Sequence, residues 1–232
     1  PISSSPSPKI DQQKARESVA IRQKIIWNNA PPSLPEWTGR EQLLEEITSD
    51  WADAGVRITG LVGFGGEGKS SLAREWVDQL LAESSRPQPE GVFWWGFYEN
   101  RNVDQFFDAA LNYMSGGKIE VKKIPSANMK SQVIAAMLGA GRYLFVLDGL
   151  EVLQHQDGDM YGSIRSPDLK AFLEFFASPD HESFCLVTSR APLMDMISLA
   201  TYKHRDVDRL SPQDGRDLLR KLGVQGKDAE LD

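Results

Sequence analysis

The sequence predicts an α/β fold: a mostly parallel, five-stranded sheet with helices on both faces, three layers in all. Three observations predict it. Between Val56 and Leu210, short apolar runs of β-rich composition alternate with segments of helical periodicity. The first of these runs ends in a glycine-rich loop that opens directly into a helix. Two later runs, "YLFVLD" and "CLVTSR", are apolar along their length and end in polar groups. That is the pattern of strands buried on both faces, which deliver side chains to the carboxyl edge of a sheet.

The elements follow in order. Residues 1–8, "PISSSPSP", are linker by composition. Lys9 to Trp27 reads as a helix, with Val19, Ile21, Ile25 and Ile26 on one side. "NNAPPSLP" is extended, because each proline biases its predecessor away from helix. Thr38, with Glu41 three residues on, fits a capping box. The helix it would cap has Leu43, Leu44, Ile47 and Trp51 on its apolar face. "VRITGLVGF" is the first strand, Lys69 to Ala82 a helix, and "GVFWWGFY" the second strand. Trp94, Trp95, Phe97 and Tyr98 in it read as core aromatics of a sheet covered on both faces. Asn102, with Gln105, caps a helix running to about Met114. "SGGKIEVKKIP" is a loop, and Ala127 to Leu138 a helix. "RYLFVLDGL" is the third strand. Ser166-Pro167 opens a helix to Phe176, with proline in the first turn where its missing N–H costs little. "SFCLVTSR" is the fourth strand, and "TYKHRDVDRL" a fifth, more exposed one. Ser211-Pro212 with Asp214 opens a last helix that stops at Gly223.

Composition narrows the function classes. A chain of 232 residues holds one large α/β domain and the start of another unit. The net charge of −7, with no basic run longer than "VKK", argues against a nucleic-acid surface. The single cysteine, Cys185, lies in an apolar run and fits a reducing, cytoplasmic setting. No secretory leader and no apolar run of about 18 residues is present, so no membrane partner is expected. The chain opens on Pro1 and stops soon after a helix, and it reads as a piece of a longer protein. His155, His181 and His204 lack metal-ligand spacing. "HQDGDMYG" reads as a mobile loop beside the site, and Arg165 after it as an ordinary surface arginine, the alternative being one that reaches a neighbouring subunit's nucleotide.

The chemistry is carried by three segments. Gly63, Gly68, Lys69 and Ser70 match G-x-x-x-x-G-K-[ST] between a strand and a helix, the context of a phosphate-binding loop. Its glycines permit positive φ and close backbone approach, so that N–H groups and the helix N-terminus face phosphate. Lys69 would reach the β- and γ-phosphates, Ser70 would ligate Mg²⁺, and Ser71 would touch the α-phosphate. Gly65, Gly66 and Glu67 complete the loop. Asp148 ends the third strand, where its charge would hold the Mg²⁺ shell; the alternative is a turn residue before Gly149. Glu151 is placed to polarise an attacking water as general base, or is an exposed loop carboxylate. Arg190, at the end of the fourth strand, would stabilise γ-phosphate charge, or is a surface arginine. Thr188 and Ser189 beside it either hydrogen-bond the attacking water or the loop backbone, or are strand-end residues without a role.

Four segments in order, "PEWTGREQLLEEI", "GFGGEGKSSLA", "LFVLDGLE" and "LVTSR", resemble the nucleotide-binding domain of the STAND class of P-loop ATPases. This is the group of NB-ARC and NACHT proteins of apoptosis, plant immunity and bacterial signalling or defence. The resemblance covers residues 27–210 and includes the paired Gly65-Gly66. "RLSPQDGRDLLRKLG" is similar to the first helices of the attached helical domain. It implies a three-layer P-loop sandwich with strand order 5-1-4-3-2, counting the five predicted strands along the chain. It implies a linker and N-terminal helix at 1–22, a nucleotide-binding domain at 23–210, and a truncated helical domain at 211–232. Adenine would lie against Trp37, Thr38, Gly39 and Arg40. ATP or ADP with Mg²⁺ would set a closed monomer against an open self-oligomer, with slow hydrolysis as the reset. An effector domain would lie at one end and a repeat-built sensor at the other. "DGLE" differs from the double aspartate of some members and leans to the bacterial or NACHT-like side.

The competing reading is a metabolic P-loop kinase passing the γ-phosphate to a small acceptor, for which no arginine-rich lid segment is seen. A GTPase needs an Asn-Lys-x-Asp motif, and "NMKS" at Asn128 is not one. A motor on DNA fits poorly with the acidic charge.

Overall fold

β-rich, apolar runs become strands of one parallel sheet, because parallel strands are covered on both faces and tolerate no polar side. The computed structural model of the chain describes residues 24–228. Its elements are β1 (Lys24–Asn28), α1 (Glu41–Ala52), β2 (Ile58–Val62), α2 (Lys69–Ala82), β3 (Gly91–Gly96), α3 (Val103–Ser115), α4 (Ala127–Leu138), β4 (Tyr143–Asp148), α5 (Pro167–Phe176), β5 (Phe184–Ser189), β6 (Tyr202–Asp206) and α6 (Pro212–Lys221). The strand order is β1-β3-β4-β5-β2-β6. Read from β6 inward, this is the expected 5-1-4-3-2 order with one more strand at the far edge.

That sixth strand corrects the helical reading of Lys9 to Trp27 at its carboxyl end. "KIIWN" carries the β-branched and aromatic residues that suit a pleated surface. It pairs with β3 in parallel, Ile25 opposite Val92 and Trp27 opposite Trp94. Its side chains alternate: Ile25 and Trp27 join the core on one face, Ile26 the core on the other. The Arg74 guanidinium of α2 lies 3.9 Å from the Trp27 ring centroid and donates to Pro31 O at 2.9 Å, clamping this edge. The predicted linker, and the rest of that predicted helix, lie outside the described residues.

The capping box at Thr38 is also corrected. Gly39 and Arg40 both take left-handed backbone, φ 77° and 64°, so Arg40 occupies the cap position without a side-chain cap. Two such residues carry Thr38 away from the first helical N–H groups. Asn102, Ser166 and Ser211 cap their helices as predicted, accepting from the N–H of Gln105, Leu169 and Asp214. His155–Gly162, expected as a mobile loop, is closed by backbone hydrogen bonds from His155 N to Ser163 O and from Gly162 N to His155 O, each 2.9 Å.

Two cores flank the sheet. Under α3, α4 and α5, Phe145 of β4 meets Phe93 and Phe176 at ring distances of 5.2 and 5.4 Å. Under α1 and α2, Phe184 of β5 meets Trp51 and Trp76 at 5.7 and 6.0 Å. The exposed edge strand β6 is held by charge instead. Buried Asp50 of α1 accepts from Arg205 at 2.7 and 3.0 Å, and from Thr59 of β2 at 3.0 Å. Cys185 is a buried free thiol. Among the described residues no helix is long and apolar enough to cross a membrane. Phe145→Ala is expected to lower stability by about 3–5 kcal/mol, the usual result of emptying a buried aromatic site. An unshifted urea midpoint would contradict this placement of the core.

Candidate functional site

Strand register brings the site together. β2 lies between β5 and β6, and β5 lies between β4 and β2, all parallel. Val62 therefore sits opposite Ser189, and Leu147 opposite Val187. The loop after β2, the end of β4 and the end of β5 meet at one carboxyl edge, although 78 residues separate Ser70 from Asp148.

The loop itself needs glycine for two different reasons. At Gly63 an added Cβ would lie 2.3 Å from Val207 O, a close approach of two backbones. At Gly66 and Gly68 the backbone is left-handed, φ 86° and 76°, so the chain turns and aims N–H groups inward as α2 begins. Lys69 is buried at the first turn, and its Nζ donates to Gly63 O at 2.8 Å and Phe64 O at 2.7 Å. Burial lowers its pKa, while the nearby Glu151 carboxylate pulls the other way.

Ser70 Oγ donates to Asp148 Oδ1 at 2.6 Å, and Thr188 Oγ1 donates to the same oxygen. Thr188 in turn accepts from Gly149 N at 2.9 Å. Thr188 thus has a defined place, bridging β4 and β5, that residue type alone left open. Ser189 turns the other way and donates to Gln154 Oε1 at 2.6 Å. Burial raises the Asp148 pKa, and the two hydroxyl donors only partly offset it.

Glu151 lies in the short 3₁₀ turn Leu150–Leu153 and is 5% exposed, so it is not a solvated loop carboxylate. Its Oε1 accepts from Tyr98 Oη and pairs with Arg190 Nε at 2.9 Å. Arg190 is therefore no isolated surface group; its guanidinium also closes over Gly65, where an added Cβ would lie 2.9 Å from Cζ. Tyr98 corrects the sequence reading. Trp94, Trp95 and Phe97 are core residues as expected, but Tyr98 lies past the end of β3 and is 41% exposed. The available signal was its polar tip beside the hydrophilic "EN" that follows.

Two hollows flank the loop and share Gly65, Gly66, Gly68 and Ser71. One, of about 260 Å³, holds Lys69, Ser70, Tyr98, Glu151, Thr188 and Arg190. The other, of about 480 Å³, is walled by Trp37, Thr38, Arg40, Glu67, Leu210 and Leu218. Here Trp37 Nε1 donates to Gly39 O at 2.6 Å, and Arg40 donates to Asp208 O at 2.8 Å. Burial lowers the Arg40 pKa, against the pull of Glu67. Glu67 itself pairs with Arg209 at 3.5 Å. Helix α6 closes the wall. Its Asp214 side chain fills the space beside Gly39, and Lys221 Nζ donates to Trp37 O at 2.7 Å. Leu210 and Leu218 were not among the sequence-derived site residues, because no local pattern tells that α6 folds back on Trp37. A largely apolar hollow with one tryptophan wall, joined through a glycine loop to one that holds Lys69 and Arg190, fits a ligand with a flat end and an anionic end.

Comparison with known proteins agrees with this fold. The NB-ARC domain family matches residues 40–229. An uncharacterized WD repeat-containing protein of Nostoc sp. is 24% identical over 213 residues, covering 87% of this chain and 16% of that protein. The chain thus spans about one-sixth of the length of that curated relative. Among solved structures, Aeropyrum pernix ORC1 in complex with DNA has a TM-score of 0.58 at 16% identity, over 83% of this chain and 50% of that one. A STAND protein with a tetratricopeptide repeat sensor from Pyrococcus horikoshii has a TM-score of 0.50 at 16% identity, over 89% and 28%. At these identities the two structures show a shared fold.

The raised pKa of Asp148 carries a stability consequence. Its charged form disfavours folding above that raised pKa, and the penalty fades as pH falls through it. Asp148→Asn keeps an Oδ1 for both hydroxyls and removes the charge. It is expected to raise the urea midpoint at neutral pH, with the gain shrinking in acid. A midpoint lowered at neutral pH would contradict this account.

Proposed function

The chain belongs to the NB-ARC domain family, and so to the STAND class of P-loop ATPases, and on that premise we propose that it is an ATP/ADP-binding switch with slow, Mg²⁺-dependent hydrolysis. The observation that carries this reading is the gathering of Lys69, Ser70, Glu151 and Arg190 around one hollow, with Asp148 bonded to Ser70, and the glycine loop that this hollow shares with an apolar one walled by Trp37.

In this reading the adenine lies against Trp37, Thr38, Gly39 and Arg40, and the phosphates follow the backbone of Gly63, Gly65, Gly66, Glu67 and Gly68. Lys69 turns from two loop carbonyls to the β- and γ-phosphates, a stronger charge-assisted contact. Ser71 faces the shared part of both hollows, beside the α-phosphate. Ser70 and Asp148 offer a hydroxyl and a carboxylate 2.6 Å apart, hard oxygen donors of the kind Mg²⁺ takes. Held by these two residues, Mg²⁺ would supply neutralisation of phosphate charge. Glu151 accepts the proton of the attacking water. Arg190, already anchored on Glu151, presents the rest of its half-exposed guanidinium to the γ-phosphate.

The switch follows from the second hollow. Trp37 lies between β1 and α1 and Leu218 belongs to α6, yet both wall the same cavity. A nucleotide held there fixes α6, and with it whatever unit residues 211 onward begin. The WD repeats of the Nostoc relative and the repeat sensor of the Pyrococcus protein support a repeat-built sensor governing this domain. Self-oligomerisation and defence- or cell-death-type signalling complete the proposal.

Lys69→Ala is expected to weaken ATP and ADP binding by at least about 100-fold, the loss of a strong charge-assisted contact. Calorimetry measures this directly, and unchanged affinity would refute the assignment. Glu151→Gln is expected to keep nucleotide affinity while phosphate release slows by roughly 10²–10⁴-fold, the usual contribution of a general base. Equal turnover in the two proteins would remove Glu151 from that role.

A further inference from the structure

We propose that Tyr98 is the positioning residue for Glu151, and that the pair sets the hydrolysis rate. The inference rests on the switch reading above. Three contacts carry it. The Tyr98 hydroxyl donates to Glu151 Oε1, the same oxygen that takes Arg190 Nε. Two donors on Oε1 orient the carboxylate, whose Oε2 is buried without a hydrogen-bond partner among the described residues. The Arg190 guanidinium stands 5.7 Å from the Tyr98 ring centroid, so one side chain touches both members of the ion pair.

The third contact fixes the tyrosine itself. Gly149, between Asp148 and Glu151, has φ 74°, and an added Cβ there would lie 2.5 Å from Tyr98 Cδ2. The ring therefore rests on the turn that delivers Glu151, and only glycine leaves room for it. The turn is held from the other side by Gly149 N donating to Thr188. Of the two donors on Oε1, the half-exposed arginine is the one free to engage phosphate, and the tyrosine is the one whose ring is wedged in place. Burial, and then the Glu151 carboxylate, push the Tyr98 pKa up to about 12, so the hydroxyl remains a donor at neutral pH.

Tyr98→Phe tests the proposal, because it removes the hydroxyl and keeps the ring on Gly149. ATP turnover is measured in four chains: parent, Tyr98→Phe, Glu151→Gln and the double variant. The expected result is a roughly ten- to hundredfold fall in kcat for Tyr98→Phe, the scale of a misplaced catalytic group. KM and ADP affinity should change less than about twofold, and the substitution should add nothing in the Glu151→Gln background. A merely structural tyrosine would lower turnover equally in both backgrounds, or act through KM, and either result overturns the proposal. Parental turnover in Tyr98→Phe overturns it alone when Glu151→Gln is slow. A parent chain without turnover, or one matched by Glu151→Gln, brings down the hydrolytic reading and this role together.

Discussion

One oxygen holds the site together. Oδ1 of Asp148 receives both Ser70, from the first turn of α2, and Thr188, from β5. Through these two hydrogen bonds the glycine loop, the end of β4 and the end of β5 share one point. Strand pairing alone would bring the three ends near each other; the shared carboxylate orders their side chains. The arrangement costs folding free energy, since a buried carboxylate is disfavoured in its charged form. A purely structural site would favour a neutral residue there. In the proposed function that charge serves a cation-bearing ligand.

The same logic runs through the neighbouring groups. Lys69 is buried against two carbonyls, Glu151 keeps a buried oxygen without a partner among the described residues, and the Arg190 side chain is half-exposed. Each is only partly satisfied within the chain. On the other flank the contacts are different in kind. Trp37, Leu210 and Leu218 supply apolar wall, and Asp214 and Lys221 fasten α6 to the lead-in segment through a glycine and a carbonyl. Charged and apolar walls thus occupy opposite sides of one loop. A ligand spanning the loop would touch both.

Much of this was legible in the residues. Lys69–Ala82 and Ala127–Leu138 are helices to the residue, and the polar caps Asn102, Ser166 and Ser211 act where the local rules put them. These features depend on neighbours within four positions. The misses share a cause as well. "KIIWN" suits a helix or a strand by pattern, and the open edge of β3 decides for strand. Thr38 has the capping residue type, but Gly39 and Arg40 turn left-handed, with Asp214 filling the space beside Gly39. Tyr98 looked like one more core aromatic until the strand ended two residues before it.

The sequence by itself determined the local chemistry: a glycine loop with lysine and serine at a helix start, an acidic strand end and a basic one, and the alternation that makes a parallel sheet. Short-range sterics and hydrophobic period suffice for these. Only the tertiary structure decided that Glu151 lies between Tyr98 and Arg190, that Thr188 shares an oxygen with Ser70, and that Leu218 faces Trp37. Those residues lie far apart along the chain. Their meeting depends on which strand inserts beside which, and parallel pairing across crossovers sets that through the burial of two whole cores, not through any local signal.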